Sequence, residues 1–366
     1  MGDHEVHYTL TGHEYSSREV FELEMTTLFA QQWCYVGRSE TVTEPSDRLV
    51  VEVGGESVIV VRDREGVLHG FFNVCRHRGA RLCDEGDRGA PGGITCPYHA
   101  WSYSLDGRLI GTPHVGRDEV DRDSMSLWPV RVDEWEGFVF VSLAETGEDL
   151  RSWLGDQSHE PLGFERHDLG SLRTGVRTVS EVKANWKILI DNYNECLHCP
   201  KVHPELVELI PIYKTGSVLD PDRSDGGVAL AGGADSFTLS GRSWLPLLAG
   251  MGETEASSYF GAAVFPNMFI DITGTSAIAT TLVPRGPAHT SVISEYLFTA
   301  EAVASDDFDP SEVVEFSELV ARQDYDVCER VQAGVSSRAF SRGVYADKDS
   351  MAHEFNEWYR RVMPEG

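Results

Sequence analysis

Cys75-Arg-His77 and Cys96-Pro-Tyr-His99, with eighteen residues between them, constrain the folding of this chain more than any other feature. Two thiols and two imidazoles set at turns can act together only if the two turns are brought to one point. That requires a compact β unit in which a pair of loops closes over a common centre. The flanking sequence suits such a unit. WCYVG, RLVVEV, ESVIVVRD, GVLHGFFNV, GRLIG and GFVFVSL read as short strands of period two, parted by Gly, Asp and Pro turns.

Zinc and an iron–sulfur cluster are the two occupants to weigh. Zinc fingers carry their histidines together on one helix, whereas each histidine here is paired with a cysteine among strands. The pattern therefore reads as a Rieske [2Fe–2S] cluster, with Cys75 and Cys96 on one iron and His77 and His99 on the other. Neutral imidazoles in place of two thiolates raise the potential of such a centre, which suits it to receive electrons from a ferredoxin-like donor. Cys83 reads as a packed thiol and Trp101 as packing that shields the cluster.

A second constellation lies in Asn185–His203, NWKILIDNYNECLHCPKVH. Read as a helix, it sets Asp191, Glu195 and His198 on one face at i, i+4 and i+7. His203 falls about 140° further round, so a helix break is needed to bring the two histidines together, and Pro200 supplies it. Two histidines and one carboxylate with open positions make the facial arrangement of non-haem Fe(II) oxygenases. Local spacing leaves the carboxylate open among Glu195, Asp191, Asp271, Asp324 and Asp326. Asp324 stands mid-helix, where Asp is a poor choice for helix stability alone. Cys196-Leu-His-Cys199 is formally a CxxC, and both cysteines are read as packing.

The 366 residues suffice for two domains, in an α+β arrangement. Residues 16–31 predict an amphipathic helix, and 1–32 is expected to pack with the second domain. Residues 33–145 form the β-rich domain, 146–168 a turn-rich connection, and 169–366 the second domain. In that domain LRTGVRTVSEV, AAVFPNMFIDI, SAIATTLVP and TSVISEYLF read as strands. Residues 216–258 read as a mobile loop region over a pocket. Asp309-Pro310-Ser311-Glu312 signals the start of a helix that Gly334 would stop, and SMAHEFNEWYRRV a final helix.

A net charge of −28 speaks against nucleic acid or an anionic membrane as partner. The apolar runs are strand-sized and no secretory signal is apparent, so a cytoplasmic protein is expected. Seven cysteines, an odd number, fit reduced thiols and metal ligands better than a disulfide framework. No phosphate-binding glycine loop is present, so nucleotide chemistry falls to another protein.

NVCRHRGARLC, CPYHAWSYSLDGRL and DNYNECLHCPKVH together resemble the α-subunits of Rieske non-haem iron oxygenases, over residues 33–358. The resemblance implies an antiparallel Rieske domain and a catalytic domain with a large antiparallel sheet flanked by helices, of the helix-grip or START-like kind. It implies Cys75, His77, Cys96 and His99 as cluster ligands. It implies His198, His203 and Asp324 as ligands of a mononuclear Fe(II), with Glu195 as the bridge between centres and Asp191 in support. It further implies a homotrimer in which His99 of one subunit is linked through Glu195 to His198 of the next. Electrons from NAD(P)H would arrive through a separate flavin/iron–sulfur reductase.

Within that family, NYNECLHCPKVH and RQDYDVCERVQAGVSSRAFSRGVY look most like oxygenases of quaternary ammonium compounds such as glycine betaine, stachydrine, carnitine or choline. Residues 270–276 and 316–318 depart from the glycine betaine pattern. The implied reaction is monooxygenation of an N-methyl group or a neighbouring carbon. A methylated cation offers no N–H, so an aromatic cage is expected, with Tyr193, Trp244, Tyr259, Phe265 and Phe269 as candidate walls. The rival readings are an aromatic ring-hydroxylating α-subunit, a Rieske electron carrier lacking the second metal site, and a zinc-structured binding protein.

Overall fold

The computed structural model describes residues 6–364 other than Ser46, Arg88, Ala90, Pro91, Arg117 and Ser224. Two compact units emerge, Glu24–Trp153 and a second made of Met1–Leu23 with Leu154–Gly366. Among the described residues no helix is long and apolar enough to cross a membrane.

The first unit is built on a six-stranded sheet in the order Cys34–Arg38, Phe138–Ser142, Pro129–Trp135, Leu68–Phe72, Glu56–Arg62, Leu49–Val53. Every pairing is antiparallel. A three-stranded sheet, Ile94–Thr95, Ser102–Tyr103 and Leu109–Gly111, accompanies it. A core of Val50, Ile59, Val61, Phe71, Leu82, Ile94, Trp101, Tyr103 and Leu109 also takes in Cys75, Cys83 and Cys96. The cysteines of the first motif are thus rooted in the apolar interior.

The second unit carries a six-stranded sheet in the order Arg173–Val182, His289–Phe298, Ala277–Gly286, Met268–Ile272, Ser258–Val264, Val228–Ala229. These strands are likewise antiparallel. Three helices accompany the sheet, Trp186–Tyr193, Ser311–Val335 and Ser350–Val362. Trp186 packs against Phe355 and Tyr359 of the last helix. Thr178 and Tyr296, on paired strands, donate to Glu318 Oε1 at 2.7 and 3.0 Å and so fasten the long helix to the sheet.

Several local expectations change. The region 16–31 is not one α-helix: α-turns at Gly12–Ser16 and Arg18–Leu23 give way to a wider π-turn over Glu24–Phe29. A π-turn inserts one residue per turn and so re-aims the side chains it carries, here Leu28 and Phe29, which are buried. Gly334 does not stop the long helix, which runs to Val335, where the Ser336 N–H bonds Gln332 O and Gly334 O. At its start the cap position falls to Pro310, one residue later than the expected Asp309, whose carboxylate still accepts from the Ser311 N–H at 3.0 Å. The described residues of 216–258 form turns, a two-residue strand, Val228–Ala229, a tight helical turn, Ala231–Gly233, and a one-turn helix, Glu253–Ala256.

The Trp186–Tyr193 helix ends at Asn194, before Glu195, so Asp191 and His198 do not share a helical face. Asp191 instead accepts hydrogen bonds from Tyr15 Oη (2.5 Å), Asn356 Nδ2 (2.9 Å) and Tyr345 Oη (3.4 Å). Asn356 Oδ1 in turn accepts from the Leu10 N–H at 3.0 Å. One carboxyl thereby joins the first helix of the chain to the last. Loss of water around Asp191 outweighs these donors and pushes its pKa up to about 7. A carboxyl whose folded pKa lies above its unfolded value binds its proton more tightly when folded, so its contribution to stability falls as pH rises towards 7. Urea unfolding of the wild type and Asp191→Asn at pH 5.5 and 7.5 should show the difference between them shifting against the wild type by roughly 1–2 kcal/mol.

Candidate active site

Cys75 and Cys96 open two loops of the same design. The Cys75 N–H donates to Ala80 O at 2.8 Å and its C=O accepts from Gly79 N–H at 3.0 Å. The Cys96 N–H donates to Trp101 O at 2.8 Å and its C=O accepts from Ala100 N–H at 3.1 Å. Both closing residues, Gly79 and Ala100, have positive φ, +72° and +55°, which curls the chain back on itself. The loops bring His77 and His99 to 4.8 Å between ring centroids. His77 stacks on Trp101 at 4.5 Å, and Cys75 Sγ lies 3.3 Å from Tyr103 Oη. Each loop thus carries one cysteine buried in the core and one histidine at the point where the two rings meet.

Asn73 holds the first loop to the core and is a residue that sequence reasoning missed. Its Oδ1 accepts from the Leu82 and Cys83 N–H groups at 2.9 and 3.0 Å, and its Nδ2 donates to Cys83 O at 2.8 Å. An asparagine two residues before Cys75 gives no signal in sequence, because its partners lie nine and ten residues on. Cys83 is buried in the same core.

In the second unit the chain breaks after Tyr193 and restarts as short helices at Cys199–Val202 and Pro204–Leu209. Pro200 sits in the first turn of a helix, where its missing N–H costs nothing, and is not the breaking residue. This double turn sets His198 and His203 with ring centroids 5.1 Å apart. Asp324, from the middle of the long helix, reaches both: its Oδ1 is 2.8 Å from His203 Nε2 and 3.3 Å from His198 Nε2. The remaining nitrogens are anchored from behind. His198 Nδ1 meets Glu195 Oε1 at 2.5 Å, and His203 Nδ1 meets Gln323 Oε1 at 2.8 Å. Gln323, which no sequence pattern marked, is itself held by donation to Glu205 at 3.1 Å.

Burial works against a charge on His198, but hydrogen bonds to Asp324 and Glu195 carry its pKa up to about 9. Asp324 feels the converse: despite desolvation, the two histidines hold its carboxyl below the usual range. Without a metal the carboxylates hold a proton on His198, which a cation settling among the three donors would displace. Glu195 approaches His198 from the far nitrogen, the position of a group that orients a ligand. Asp326 is exposed and Asp271 lies elsewhere in the cavity. Cys196 and Cys199 do not merely pack: a turn brings their Cα atoms to 4.9 Å and they form a disulfide around His198. Cys199 therefore offers no thiolate to a metal.

His198, His203 and Asp324 open onto a cavity of ≈ 190 Å³. Tyr193, Tyr259 and Phe269 line it, as the sequence suggested, whereas Trp244 and Phe265 do not. Trp244 is 59% exposed, and Phe265 is buried against Phe355 and Trp358. Strand alternation presents Phe269 with Asp271, and Ile278 with Thr280 and Leu282, to the cavity. Tyr193 and Tyr259 both donate to Asp271 Oδ1, at 2.8 and 2.6 Å. Tyr193 stacks on Phe269 at 4.0 Å and Phe237 on Tyr259 at 5.1 Å. Desolvation raises Asp271 to about 6 in spite of the two phenols. Gly261 makes room for them, since a Cβ there would run into Tyr259 Oη and lie 3.0 Å from Tyr193 Oη. The segments 270–276 and 316–318 both reach this cavity, through Asp271, Phe316 and Ser317.

The family model of the Rieske [2Fe-2S] domain matches residues 32–132, and that of the ring hydroxylating alpha subunit catalytic domain matches residues 169–365. The chain belongs to the Rieske-type ring-hydroxylating oxygenase α-subunits. It is an oxidoreductase that carries a Rieske cluster and a mononuclear iron and draws its electrons from a reductase. It is 29% identical to the glycine betaine monooxygenase oxygenase subunit of Chromohalobacter salexigens, over 99% of this chain and 86% of that one. It is 37% identical to the carnitine monooxygenase oxygenase subunit of Escherichia coli over 56% of this chain and 54% of that one. A solved quaternary ammonium Rieske monooxygenase, in which carnitine oxidation and inter-subunit electron transfer were described, shares the fold. Its TM-score is 0.79 at 24% identity, covering 98% of this chain and 96% of that one.

The donor sets suit these groups. His99 Nδ1 is buried and has no hydrogen-bond partner among the described residues, as an imidazole nitrogen kept for a metal would be. Replacing Asn73 by Ala should leave the Leu82 and Cys83 N–H groups unpaired in the core. The expected loss is roughly 2–4 kcal/mol of stability, measured by chemical unfolding followed at the Trp signals and by a falling Tm.

Proposed function

We propose that this chain is the terminal oxygenase of an amine monooxygenase, acting on an N-methylated ammonium compound. The observation that carries the reading is the shared cavity: the His198, His203 and Asp324 donors stand at the edge of an aromatic enclosure that also holds a carboxylate. Cys75 and Cys96 would hold one cluster iron and His77 and His99 the other. His198, His203 and Asp324 would hold the mononuclear iron, next to the cavity they open onto. With these groups bound, the chemistry they would supply is single-electron delivery and the activation of dioxygen for insertion into a C–H bond of the substrate.

The chain's own residues determine where that happens. Glu195 and Gln323 fix the imidazoles so that both Nε2 atoms face Asp324. Tyr193, Phe269, Tyr259 and Phe237 line the enclosure with aromatic rings, whose quadrupole attracts cationic methyl groups. A hydroxylated N-methyl group then leaves the nitrogen as formaldehyde, releasing the demethylated amine and a proton. The relatives named for glycine betaine and carnitine support an ammonium substrate.

Glu195 also faces a second depression, of ≈ 430 Å³, lined by Tyr15, Leu197, Val331, Val344 and Tyr345. A neighbouring subunit of a homotrimer would bring its His99 to this side, and Glu195 would carry the electron path between them. A flavin/iron–sulfur reductase would feed the cluster.

Asp324→Ala should lower the iron content from three atoms per chain to two while the cluster EPR signal persists; three retained irons would remove Asp324 from the ligand set. Glu195→Gln should keep all three irons and lose turnover by roughly 10–100-fold. Normal turnover in that variant would end its bridging role.

A further inference from the structure

We propose that Asp271 makes this cavity selective for an ammonium monocation with an apolar body, against the carboxylate-bearing betaines. This deepens the amine-oxygenase reading and rests on it. The carboxylate is a fixed anion inside the enclosure, set on the same strand face as Phe269 and gripped by two phenols. Its oxygen accepts from Tyr193 at 2.8 Å and Tyr259 at 2.6 Å, so its position is determined before any ligand arrives. The rings stacked on those phenols, Phe269 and Phe237, complete a wall suited to a methylated cation. An ammonium group therefore finds both a quadrupole and a full counter-charge.

The rest of the cavity decides what the other end of the ligand can be. Leu206, Ile210, Ile278, Leu282, Phe316 and Val320 make up much of its wall. Of the described residues lining it none is Lys or Arg, and its ionisable carboxylates are Glu195, Asp271 and Asp324. Thr280 and Ser294, 3.2 Å apart, are already paired with each other. A betaine's carboxylate would enter a low-dielectric space that already holds an anion, with no lysine or arginine there to meet it and the only cationic ground at the far side, where Glu195 and Asp324 already match it. An alkyl or aryl group in its place loses nothing and gains contact with the apolar wall. Such exclusion by an unmatched charge is a common source of discrimination.

The test uses the iron-loaded holoenzyme and two probes of similar size, pentyltrimethylammonium and γ-butyrobetaine. Binding is measured by titration calorimetry without oxygen, and turnover separately by formaldehyde release with a surrogate reductase. Pentyltrimethylammonium is expected to bind at least ~10-fold more tightly than the zwitterion. Both phenols donate to the same oxygen, so Asp271→Asn keeps their acceptor and removes only the charge. It should weaken the monocation at least ~10-fold and narrow the gap between the probes. Equal or tighter binding of γ-butyrobetaine by the wild type overturns the proposal without recourse to any variant, and so does an unchanged monocation affinity in Asp271→Asn with iron content intact. If the preference holds but neither probe yields formaldehyde, the selectivity stands and the amine-oxygenase reading falls.

Discussion

One oxygen of Asp324, within 2.8 Å of His203 and 3.3 Å of His198, is the contact on which the catalytic unit is arranged. It joins a broken stretch of chain to the middle of a helix more than a hundred residues further on. The partners repel or attract strongly according to their protonation, so each must be fixed from outside the group. Glu195 and Gln323 do this for the imidazoles, and Glu318, held by Thr178 and Tyr296, does it for the helix that carries Asp324. Anchoring each side chain in this way holds the loop-borne imidazoles against the helix-borne carboxylate.

The cluster unit solves a similar problem by different means. Its donors do lie on loops, yet both loops are closed by the same pair of backbone hydrogen bonds around a cysteine sunk in the core. Burying turns of this kind exposes the protein to unpaired N–H and C=O groups, which are costly away from water. Asn73 answers several of them at once, bonding the Leu82 and Cys83 N–H groups and the Cys83 carbonyl.

The cavity shows how a sheet can be both framework and binding surface. Alternate residues of the Met268–Ile272 and Ala277–Gly286 strands face the cavity, so the strand that carries Phe269 necessarily places Asp271 beside it. The two phenols come from different elements, Tyr193 from the end of a helix and Tyr259 from a neighbouring strand. Gly261 is required on that strand because any larger residue would occupy the space of the phenol oxygens.

Much of this was legible in the sequence. The paired Cys/His motifs, the His198/His203 cluster, the strand-rich first domain and the limits of the final helix, Ser350–Val362, all follow from local spacing and period. Local spacing failed where a neighbour decides. Asp191 looked like a companion of His198 but belongs with Tyr15, Tyr345 and Asn356, because the helix ends at Asn194. Trp244 and Phe265 looked no different from Tyr193 or Tyr259 as aromatic residues, and only packing separates a cavity wall from a core side chain or an exposed one. Which residues could bind metal was readable from the amino acids alone, because ligand chemistry resides in the side chain. Which carboxylate meets which imidazole, and that Asp271 faces a cavity, depend on the folded chain, because those contacts join segments that strand register and helix packing bring together from far along the sequence.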